Sequence, residues 1–270
     1  MKKTDIRAVS LNLRTARTPE QHNQSIREPR IAAYLAQCRP ATLGVQECTP
    51  FWRERLDATL TQMTRLQPPH PDPNGFKNFL YYDPEQVTPL ESGVFWLSRT
   101  PGIVSRDFGS RYCISCGWGL FEAREGGVRY VHMNTHLDYT CEDTRLDECA
   151  VLLPHAQVLA KRGYPVFLTG DFNAPPDSPT HERMLVDGLF RDFRSAVPAP
   201  ALPWTFNHYL SEEQEPEPAD FLIIDYGFYS DGILPQRLTV TDKADGGYLS
   251  DHNALCFDMT ITNETEEPKT

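Results

Sequence analysis

Apolar runs that end in a carboxylate, an amide or a histidine recur along this chain, and they restrict its fold more than any other feature. The clearest is the run at 166–168, which leads through Thr169-Gly170 into Asp171 and Asn173. A buried carboxylate is costly unless it is paired or bound to a metal ion. Polar groups at the ends of several apolar strands therefore predict a shared cleft at one rim. The other such groups are Asn12, Glu47, His136, Asp138, Asp225, Asp251 and His252.

Apolar periodicity predicts a chain rich in strands, with helices between them. Strands are expected at 6–13, 41–46, 79–82, 93–97, 118–122, 128–137, 166–169, 221–230 and 254–262. Helices are expected at 27–37, 51–63, 143–162 and 181–187, and loops at 67–75, 198–203 and 211–219. This pattern indicates an α/β fold in which two sheets pack face to face with helices outside, because both sides of the apolar runs are then buried. We expect one domain over residues 1–262 and a polar tail at 263–270.

The charge and composition limit the class of partner. The formal net charge is −11, and no basic stripe suited to a long nucleic-acid backbone is visible. A small phosphorylated substrate stays compatible with this charge, because a bound divalent cation supplies local positive charge. No run approaches the ~20 apolar residues of a membrane span, and no secretory signal is recognisable. The odd, scattered set of cysteines is typical of a reduced, cytoplasmic protein.

The stretch after the predicted strand at 166–169 offers two chemically different groups. Asp171 and Asn173 lie two residues apart, so both side chains are expected to point the same way, while Phe172 points into the core. Gly170 is expected to let the backbone pass close to a ligand. An ionised carboxylate only accepts hydrogen bonds, whereas an amide also donates them. The pair suits an attacking water with Asp171 as base, beside a phosphoryl oxygen bound by Asn173.

Oxygen-bearing side chains at other strand ends suit a hard cation. Mg²⁺ takes oxygen ligands and keeps several waters, and Mn²⁺ is accepted by the same type of site. Asn12, Glu47 and Asp251 would supply such oxygens.

Each of these groups alone also has a structural explanation. The alternatives are a loop cap at Asn12, a helix-start carboxylate at Glu47, a core histidine at His136, turn hydrogen bonds at Asp171 and Asn173, a buried ion pair at Asp225, and a turn at Asp251-His252. A shared functional site explains all of these groups together, whereas the structural alternative needs a separate explanation for each strand end.

Taken in chain order, the motifs resemble the endonuclease/exonuclease/phosphatase superfamily. They are LNLR around Asn12, GVQE ending at Glu47, ESGVFWLS at 91–98, NTHLD at 134–138, GDFNAPPDSP from Gly170, IDYGFYS from Ile224 and SDH at 250–252. They span residues 6–258, nearly the whole chain. The nearest resemblance is to the compact bacterial members of the family.

The resemblance implies a four-layered α/β sandwich, with two mostly antiparallel sheets inside, and phosphoester hydrolysis that depends on Mg²⁺ or Mn²⁺. It implies that Glu47 is the main metal ligand, assisted by Asn12 and Asp251. The implied catalytic roles are an acid that orients or deprotonates water (Asp171), contacts with the scissile phosphate (Asn173, His252), an acid that steers the histidine (Asp225 or Asp251), and a donor or general acid (His136).

Further residues are expected at the edge of the site. Asp138 and Arg145 lie in stretches that match the family, and Arg145 would pair with an acid or reach a phosphate. Trp204 lies on a loop between proline clusters, where it would form a wall of the cleft or pack the loop.

Three functions fit these residues. The first is a phosphodiester hydrolase, either nuclease-like on short or single-stranded nucleic acid or acting on a small molecule. The second is a phosphomonoesterase on a small phosphorylated metabolite or lipid headgroup. The third is a non-catalytic binding module of the same fold, against which the intact set of acids, amides and histidines argues. No obligate protein partner is indicated.

Overall fold

The computed structural model describes residues 2–15, 20–67, 77–209 and 222–263 of the chain. The strands are β1 (Lys2–Asn12), β2 (Thr42–Gln46), β3 (Thr64–Arg65), β4 (Phe79–Tyr82), β5 (Val87–Trp96), β6 (Ser115–Ala123), β7 (Arg129–His136), β8 (Val166–Asp171), β9 (Arg191–Asp192), β10 (Asp225–Tyr229), β11 (Ile233–Thr241), β12 (Lys243–Ala244), β13 (Gly247–Tyr248) and β14 (Ala254–Asn263). The α-helices are α1 (Gln24–Cys38), α2 (Pro50–Thr59), α3 (Glu142–Lys161) and α4 (Pro179–Val186). The loops predicted at 67–75 and 211–219 and the predicted tail at 263–270 lie almost entirely outside the described residues.

Two six-stranded sheets form the centre of the fold. Sheet A has the strand order β11-β14-β1-β2-β4-β3, and sheet B has the order β5-β6-β7-β8-β10-β9. Among the described strands, each sheet has one parallel pair, β1–β2 in sheet A and β7–β8 in sheet B, and the other pairs are antiparallel. The predicted α/β class with two mostly antiparallel sheets is confirmed.

Apolar clusters separate the layers of the sandwich. One cluster, which contains Trp52 and Val45, packs α1 and α2 against sheet A. A second, which contains Leu152, packs α3 against sheet B. A third joins the facing sides of the two sheets through residues such as Phe167 and Phe257. Because successive side chains of a strand alternate in direction, β1, β7, β8 and β14 each contribute to two of these clusters.

A buried polar network crosses the interface between the two sheets. The amide of Gln46 in β2 donates to Asn134 Oδ1 in β7 at 2.6 Å and to Ser10 Oγ in β1 at 3.0 Å. Asn134 Nδ2 donates to the carbonyl oxygens of Val45 and Phe79 at 3.0 and 3.2 Å. Buried polar groups of this kind are stable only when their partners are in place. The network therefore fixes how β2 lies over β7.

The strand at Ile233–Thr241 was not predicted, and neither were the two-residue strands β3, β9, β12 and β13. Pro235 and several polar residues argue against a strand in sequence terms. In the structure β11 is an edge strand of sheet A, and its pairing with β14 shifts register between Pro235 and Arg237. An edge position tolerates proline because one side of the strand donates no ladder hydrogen bonds. The strand predicted at 221–230 is shorter, at Asp225–Tyr229.

The predicted helices are confirmed to within a few residues at most ends. Helix α3 runs through Pro154 as expected, and its first turn carries Glu142 and Asp143, whose charges favour a helix amino terminus. Helix α1 follows Asn23, whose side chain accepts the backbone N–H of Ile26. None of the helices in the described part of the chain is long and apolar enough to cross a membrane.

Replacing Asn134 with alanine is expected to lower the free energy of unfolding by about 2–4 kcal/mol, because several buried groups lose their partner at once. Denaturant unfolding of the purified variant measures this change. Asn263→Ala is the matched control, since this amide donates to the carbonyl oxygen of Arg129 at an exposed strand end, at 3.0 Å. Its expected cost is about 1 kcal/mol or less. Equal losses in the two variants would contradict the importance of the inter-sheet network.

Candidate active site

Three of the predicted site residues form one row across sheet B. His136 is opposite Asp171 in the parallel pairing of β7 with β8, and Asp171 is opposite Asp225 in the antiparallel pairing of β8 with β10. Residues paired across neighbouring strands project to the same face. His136 Nε2 lies 3.4 Å from Asp171 Oδ2. The row runs from the half-exposed side of His136 to the buried carboxylate of Asp225.

Sheet A supplies the opposite wall of the site. Asn12 ends β1, where it pairs with Gln46, and Glu47 follows β2 directly. Asn12 Nδ2 donates to Asp171 Oδ2 at 2.9 Å and lies 3.4 Å from Glu47 Oε1. The bond from Asn12 to Asp171 joins the two sheets at their rim. The site thus forms where the carboxyl ends of the two parallel pairs, β1–β2 and β7–β8, meet.

Glu47 leaves β2 through an unusual backbone conformation. Its φ of 55° lies in the left-handed region, which costs a residue with a side chain about 1 kcal/mol or more. Oε2 accepts the backbone N–H and the hydroxyl of Thr15 at 2.7 and 2.6 Å. Burial acts to raise the pKa of Glu47, but the charge of His136 and the two bonds from Thr15 outweigh it and lower the pKa to about 2. Glu47 is therefore ionised at neutral pH.

His252 pairs with Asp225 at the buried end of the row. Its Nδ1 lies 3.0 and 3.2 Å from the two carboxylate oxygens of Asp225, and its Nε2 lies 3.7 Å from Asp171 Oδ2. Burial by itself would lower the pKa of His252, but the charges of Asp225 and Asp171 outweigh it and raise the pKa to about 10. Burial also raises the pKa of Asp225, against the attraction of His252. The pair therefore holds a proton at neutral pH, on an imidazolium whose Nε2–H faces Asp171.

A segment predicted as a loop holds this pair in place. Thr205 is fully buried, and its hydroxyl oxygen accepts the backbone N–H of Asp225 at 3.0 Å. Phe206 forms an isolated bridge with His252, and their ring centroids lie 4.6 Å apart. The available signal was the sequence WTFN at 204–207 between prolines. Nothing local in that stretch identifies the strand beside which it lies.

Asp251 is placed against a cation at the edge of the site. Its Oδ2 lies 3.2 Å from Arg14 Nε, and its Oδ1 accepts the hydroxyl of Ser250 at 3.2 Å. The backbone N–H of Arg14 donates to Asn12 Oδ1 at 2.9 Å. The buried guanidinium of Arg27 donates to the carbonyl oxygen of Arg14 at 3.1 Å and so supports this corner. The role of Asp251 as a metal ligand stays a prediction.

The exit from β8 differs from the expected shared face of Asp171 and Asn173. Asp171 Oδ1 accepts the backbone N–H of Asn173 at 2.9 Å, and Asn173 Nδ2 donates to the carbonyl oxygen of Leu137 at 2.9 Å. Asn173 has a φ of 50°, a left-handed conformation that asparagine tolerates. Asp171 thus faces the row, while Asn173 braces the loop after β7. Phe172 is buried in the core as predicted.

The close approach expected at Gly170 is to a neighbouring strand. A Cβ atom at this position would overlap the carbonyl oxygen of Thr135 in β7. The expectation that the glycine lets the backbone approach a ligand is therefore wrong, because β7 already occupies that space.

The predicted substrate-binding residues lie beside the row. The carboxylate of Asp138 is buried and accepts hydrogen bonds from the loops around it. Arg145 donates to the carbonyl oxygen of Asp138 at 3.1 Å and pairs with Glu142 at 2.5 Å. Of the two roles expected for Arg145, pairing with an acid or reaching a phosphate, this contact is the first. Trp204 is half-buried, and its carbonyl oxygen accepts Asn253 Nδ2 at 2.9 Å. Direct substrate contact by Asp138, Arg145 and Trp204 stays a prediction.

Two groups of side chains have oxygen or nitrogen atoms that a divalent cation could use. The ligand atoms of Asp171, Asp225 and His252 lie within 4.8 Å of one another. Within this group His252 Nδ1 already lies 3.0 Å from Asp225 Oδ2, within hydrogen-bond distance. Glu47 offers a charged carboxylate, the type of oxygen ligand that hard cations prefer. Asn12 turns its Nδ2 toward Glu47, and its Oδ1 accepts the backbone N–H of Arg14, so its role as a metal ligand stays a prediction. The carboxylate of Glu47 fits a hard divalent cation.

One protein-family model matches the part of the sequence that contains all of these site residues. The model described as Endonuclease/Exonuclease/phosphatase family matches residues 10–252. The chain belongs to this family. Members of the family are hydrolases that act on phosphoester bonds. Among curated proteins, none matches the chain.

Several solved structures resemble the chain over nearly its whole length. A functionally unknown conserved protein from Enterococcus faecalis is 25% identical, with a TM-score of 0.84 and coverage of 96% of this chain and 100% of that one. A mannosyl-6-phosphatase from Bacteroides thetaiotaomicron is 22% identical, with a TM-score of 0.84 and coverage of 94% and 99%. TDP2 from D. rerio, complexed with single strand DNA product, is 15% identical, with a TM-score of 0.73 and coverage of 95% and 99%. These likenesses establish the fold.

Glu148, beneath the loop that follows β7, gives a prediction for the pH dependence of stability. Its Oε2 accepts the backbone N–H of Asp138 at 2.9 Å, and burial raises its pKa from 4.5 to about 8. The folded state therefore holds this proton more tightly than the unfolded state. The stability it contributes is complete below about pH 4.5 and is lost as the pH rises through about 8.

Glu148→Gln keeps the shape of the protonated side chain and removes its titration. The variant is therefore expected to gain stability relative to the native protein as the pH rises from about 4.5 to about 8. Thermal unfolding of both proteins across this range measures the difference. A constant difference between the two at every pH would contradict the assignment.

Proposed function

We propose that the protein is a phosphodiester hydrolase that depends on Mg²⁺ or Mn²⁺, with the reacting phosphate between the row of sheet B and Glu47. The observation that carries the proposal is the convergence on Asp171 Oδ2 of Asn12 and two histidines, at 2.9, 3.4 and 3.7 Å. Acid–base catalysis needs such groups within reach of one reacting centre. Separate structural roles for all of them would not require them to meet at one oxygen.

In this proposal Asp171 orients an attacking water and takes its proton. The backbone N–H of Asn173 holds Oδ1, and Asn12 holds Oδ2, so the carboxylate has one orientation. The 3.7 Å gap between Oδ2 and His252 Nε2 is longer than a hydrogen bond. A phosphoryl oxygen that accepts from Nε2–H would be stabilised by the positive charge that Asp225 keeps on His252.

In this proposal His136 donates a proton to the departing oxygen. Its side chain is 21% exposed, against 4% for His252. The more accessible imidazole can exchange protons with solvent between turnovers. Its contact with Asp171 holds the ring in place at 3.4 Å.

Glu47 and Asn12 would hold the divalent cation. When bound, such an ion supplies charge neutralisation at the phosphate and at the departing oxyanion. Metal ligands must be deprotonated, and a pKa of about 2 keeps Glu47 ionised across the neutral range. The bonds from Thr15 to Oε2 leave Oε1 as the oxygen with the weaker partner.

The charge balance favours a diester over a monoester. The carboxylates of Glu47, Asp171, Asp225 and Asp251 surround the site, and the ion-pair partners of these acids in the described residues are two imidazoles and Arg14. A phosphodiester carries one negative charge, whereas a monoester carries about −1.5 to −2 at pH 7. The extra charge is repelled by the same acids. Phosphomonoester hydrolysis is the alternative, since a mannosyl-6-phosphatase shares the fold.

Hydrolysis of bis-p-nitrophenyl phosphate and of p-nitrophenyl phosphate tests the proposal, each with Mg²⁺, with Mn²⁺ and with chelator. We expect a higher kcat/KM on the diester and loss of activity with chelator. We also expect a fall of about 10²–10⁴ in His252→Ala, because the imidazolium that stabilises the reacting phosphate is removed. A preference for the monoester would select the alternative. Full activity in chelator, or in His252→Ala, would contradict the assigned centre.

Glu47→Gln is expected to weaken Mn²⁺ binding by about 10–100-fold or more, because it removes the charged ligand while keeping the size of the side chain. Titration of the protein with Mn²⁺, followed by electron paramagnetic resonance, measures the dissociation constant without turnover. Glu122→Gln is the matched control, since this surface acid pairs with Arg129 at 2.7 Å in sheet B. Unchanged affinity in Glu47→Gln would show that the metal is held elsewhere.

A further inference from the structure

Two exposed tyrosines lie beside the row and have no part in the proposed chemistry. Tyr112 and Tyr139 are 50% and 51% exposed, and their ring centroids lie 6.5 Å apart with 32° between the planes. Tyrosine offers a large apolar face with a polar tip, which is why it is enriched where proteins contact ligands and partners. A pair of such rings at the edge of a catalytic site is a surface for a flat group.

A buried acid fixes the backbone beneath both rings. Asp138 Oδ2 accepts the backbone N–H of Arg111 at 3.1 Å, and Asp138 Oδ1 accepts the backbone N–H of Thr140 at 2.8 Å. Asp138 thus ties the loop that carries Tyr112 to the loop that carries Tyr139. Because the two loops are joined before any ligand arrives, less conformational entropy is lost when one binds.

Two cations lie close to the ring of Tyr112. Lys77 Nζ lies 5.4 Å from its ring centroid, and Arg111 Cζ lies 6.0 Å from it. These are cation–π distances. In a chain with a net charge of −11, two cations at exposed rings favour a ligand that carries negative charge next to its flat group.

The tyrosines and cations border the reacting centre. Tyr139 follows His136 by three residues, so their Cα atoms are at most about 11 Å apart. The carbonyl oxygen of Lys77 accepts the backbone N–H of Cys48, the residue after Glu47, at 2.9 Å. A group held here would be part of the same substrate as a phosphate at the row.

We propose that Lys77, Arg111, Tyr112 and Tyr139 form a subsite, the tyrosine rim, that binds the base and an adjoining phosphate of a nucleoside phosphodiester. A nucleobase has a π-face, and its stacking on an aromatic side chain contributes about 1–3 kcal/mol. Lys77 and Arg111 would hold the adjoining phosphate. Bases of a duplex are stacked on one another and cannot reach the rings, so the substrate class is a single nucleotide ester or a short single strand. This inference rests on the proposed function of the catalytic site.

Two diesters with the same leaving group test the rim: thymidine 5′-p-nitrophenyl phosphate and methyl p-nitrophenyl phosphate. The native protein is expected to prefer the thymidine ester by about 10-fold or more in kcat/KM. The double variant Tyr112→Ala, Tyr139→Ala is expected to lose this preference and to keep its kcat/KM on the methyl ester within about twofold, because the row is untouched.

Matched variants separate stacking from general damage. Tyr112→Phe with Tyr139→Phe keeps both rings and is expected to keep the preference. Leu234→Ala removes another exposed apolar side chain, 56% exposed on the edge strand β11, and is expected to change nothing. The proposed tyrosine rim would be contradicted if the double alanine variant lost kcat/KM equally on both esters, or if it kept the preference for the thymidine ester.

Binding without turnover distinguishes failure of the rim from failure of the proposed function. Equilibrium dialysis with thymidine 5′-monophosphate, in chelator, is expected to show binding that is about 5–100-fold weaker in the double alanine variant. If neither ester is hydrolysed with Mg²⁺ or Mn²⁺, the proposed function fails and the dialysis result decides the rim by itself. Equal binding by the native protein and the variant would then overturn it.

Discussion

The buried hydrogen bond between Gln46 and Asn134 holds the two sheets in the relative position that the site requires. Gln46 directly precedes Glu47, and Asn134 lies two residues before His136. A shift of either strand would therefore move one wall of the site against the other. Gly44 adds a steric condition, because a Cβ atom there would lie 2.7 Å from Asn134 Oδ1. Other registers would leave buried polar groups unpaired, at about 1–3 kcal/mol each.

The site concentrates features that are costly elsewhere in a protein. Glu47 and Asn173 have left-handed backbone conformations, and Asp171 and Asp225 are buried acids side by side in neighbouring strands. Such strain persists only where the surrounding structure fixes it. Here hydrogen-bond donors hold the acids in place, and the ion pair with His252 holds Asp225. The same arrangement that makes the site costly gives each polar group one orientation, which is what electrostatic catalysis uses.

Much of the fold followed from apolar periodicity, because strands and helices that bury one face leave a regular pattern. The edge strand β11 escaped prediction, since an edge tolerates Pro235 and polar residues that a central strand would exclude. In the site, the catalytic candidates could be predicted because polar groups follow several apolar strands in the same way. Their supports were missed: Thr15 bonds to Glu47, and Thr205 bonds to Asp225. Nothing in the neighbourhood of either threonine in the sequence indicates its partner.

The sequence by itself determined which chemical groups stand at the ends of the strands, and the order of those motifs was enough to indicate the family. The tertiary structure decided what each group does. Strand register set Asp171 between His136 and Asp225, and Asp225 in turn determines that His252 is protonated. Asp138 joins the loops of Arg111 and Thr140 through hydrogen bonds to their backbone N–H groups. The reason is physical: hydrogen bonds and strong charge interactions act over a few ångströms, and residues distant in the chain come that close only in the folded protein.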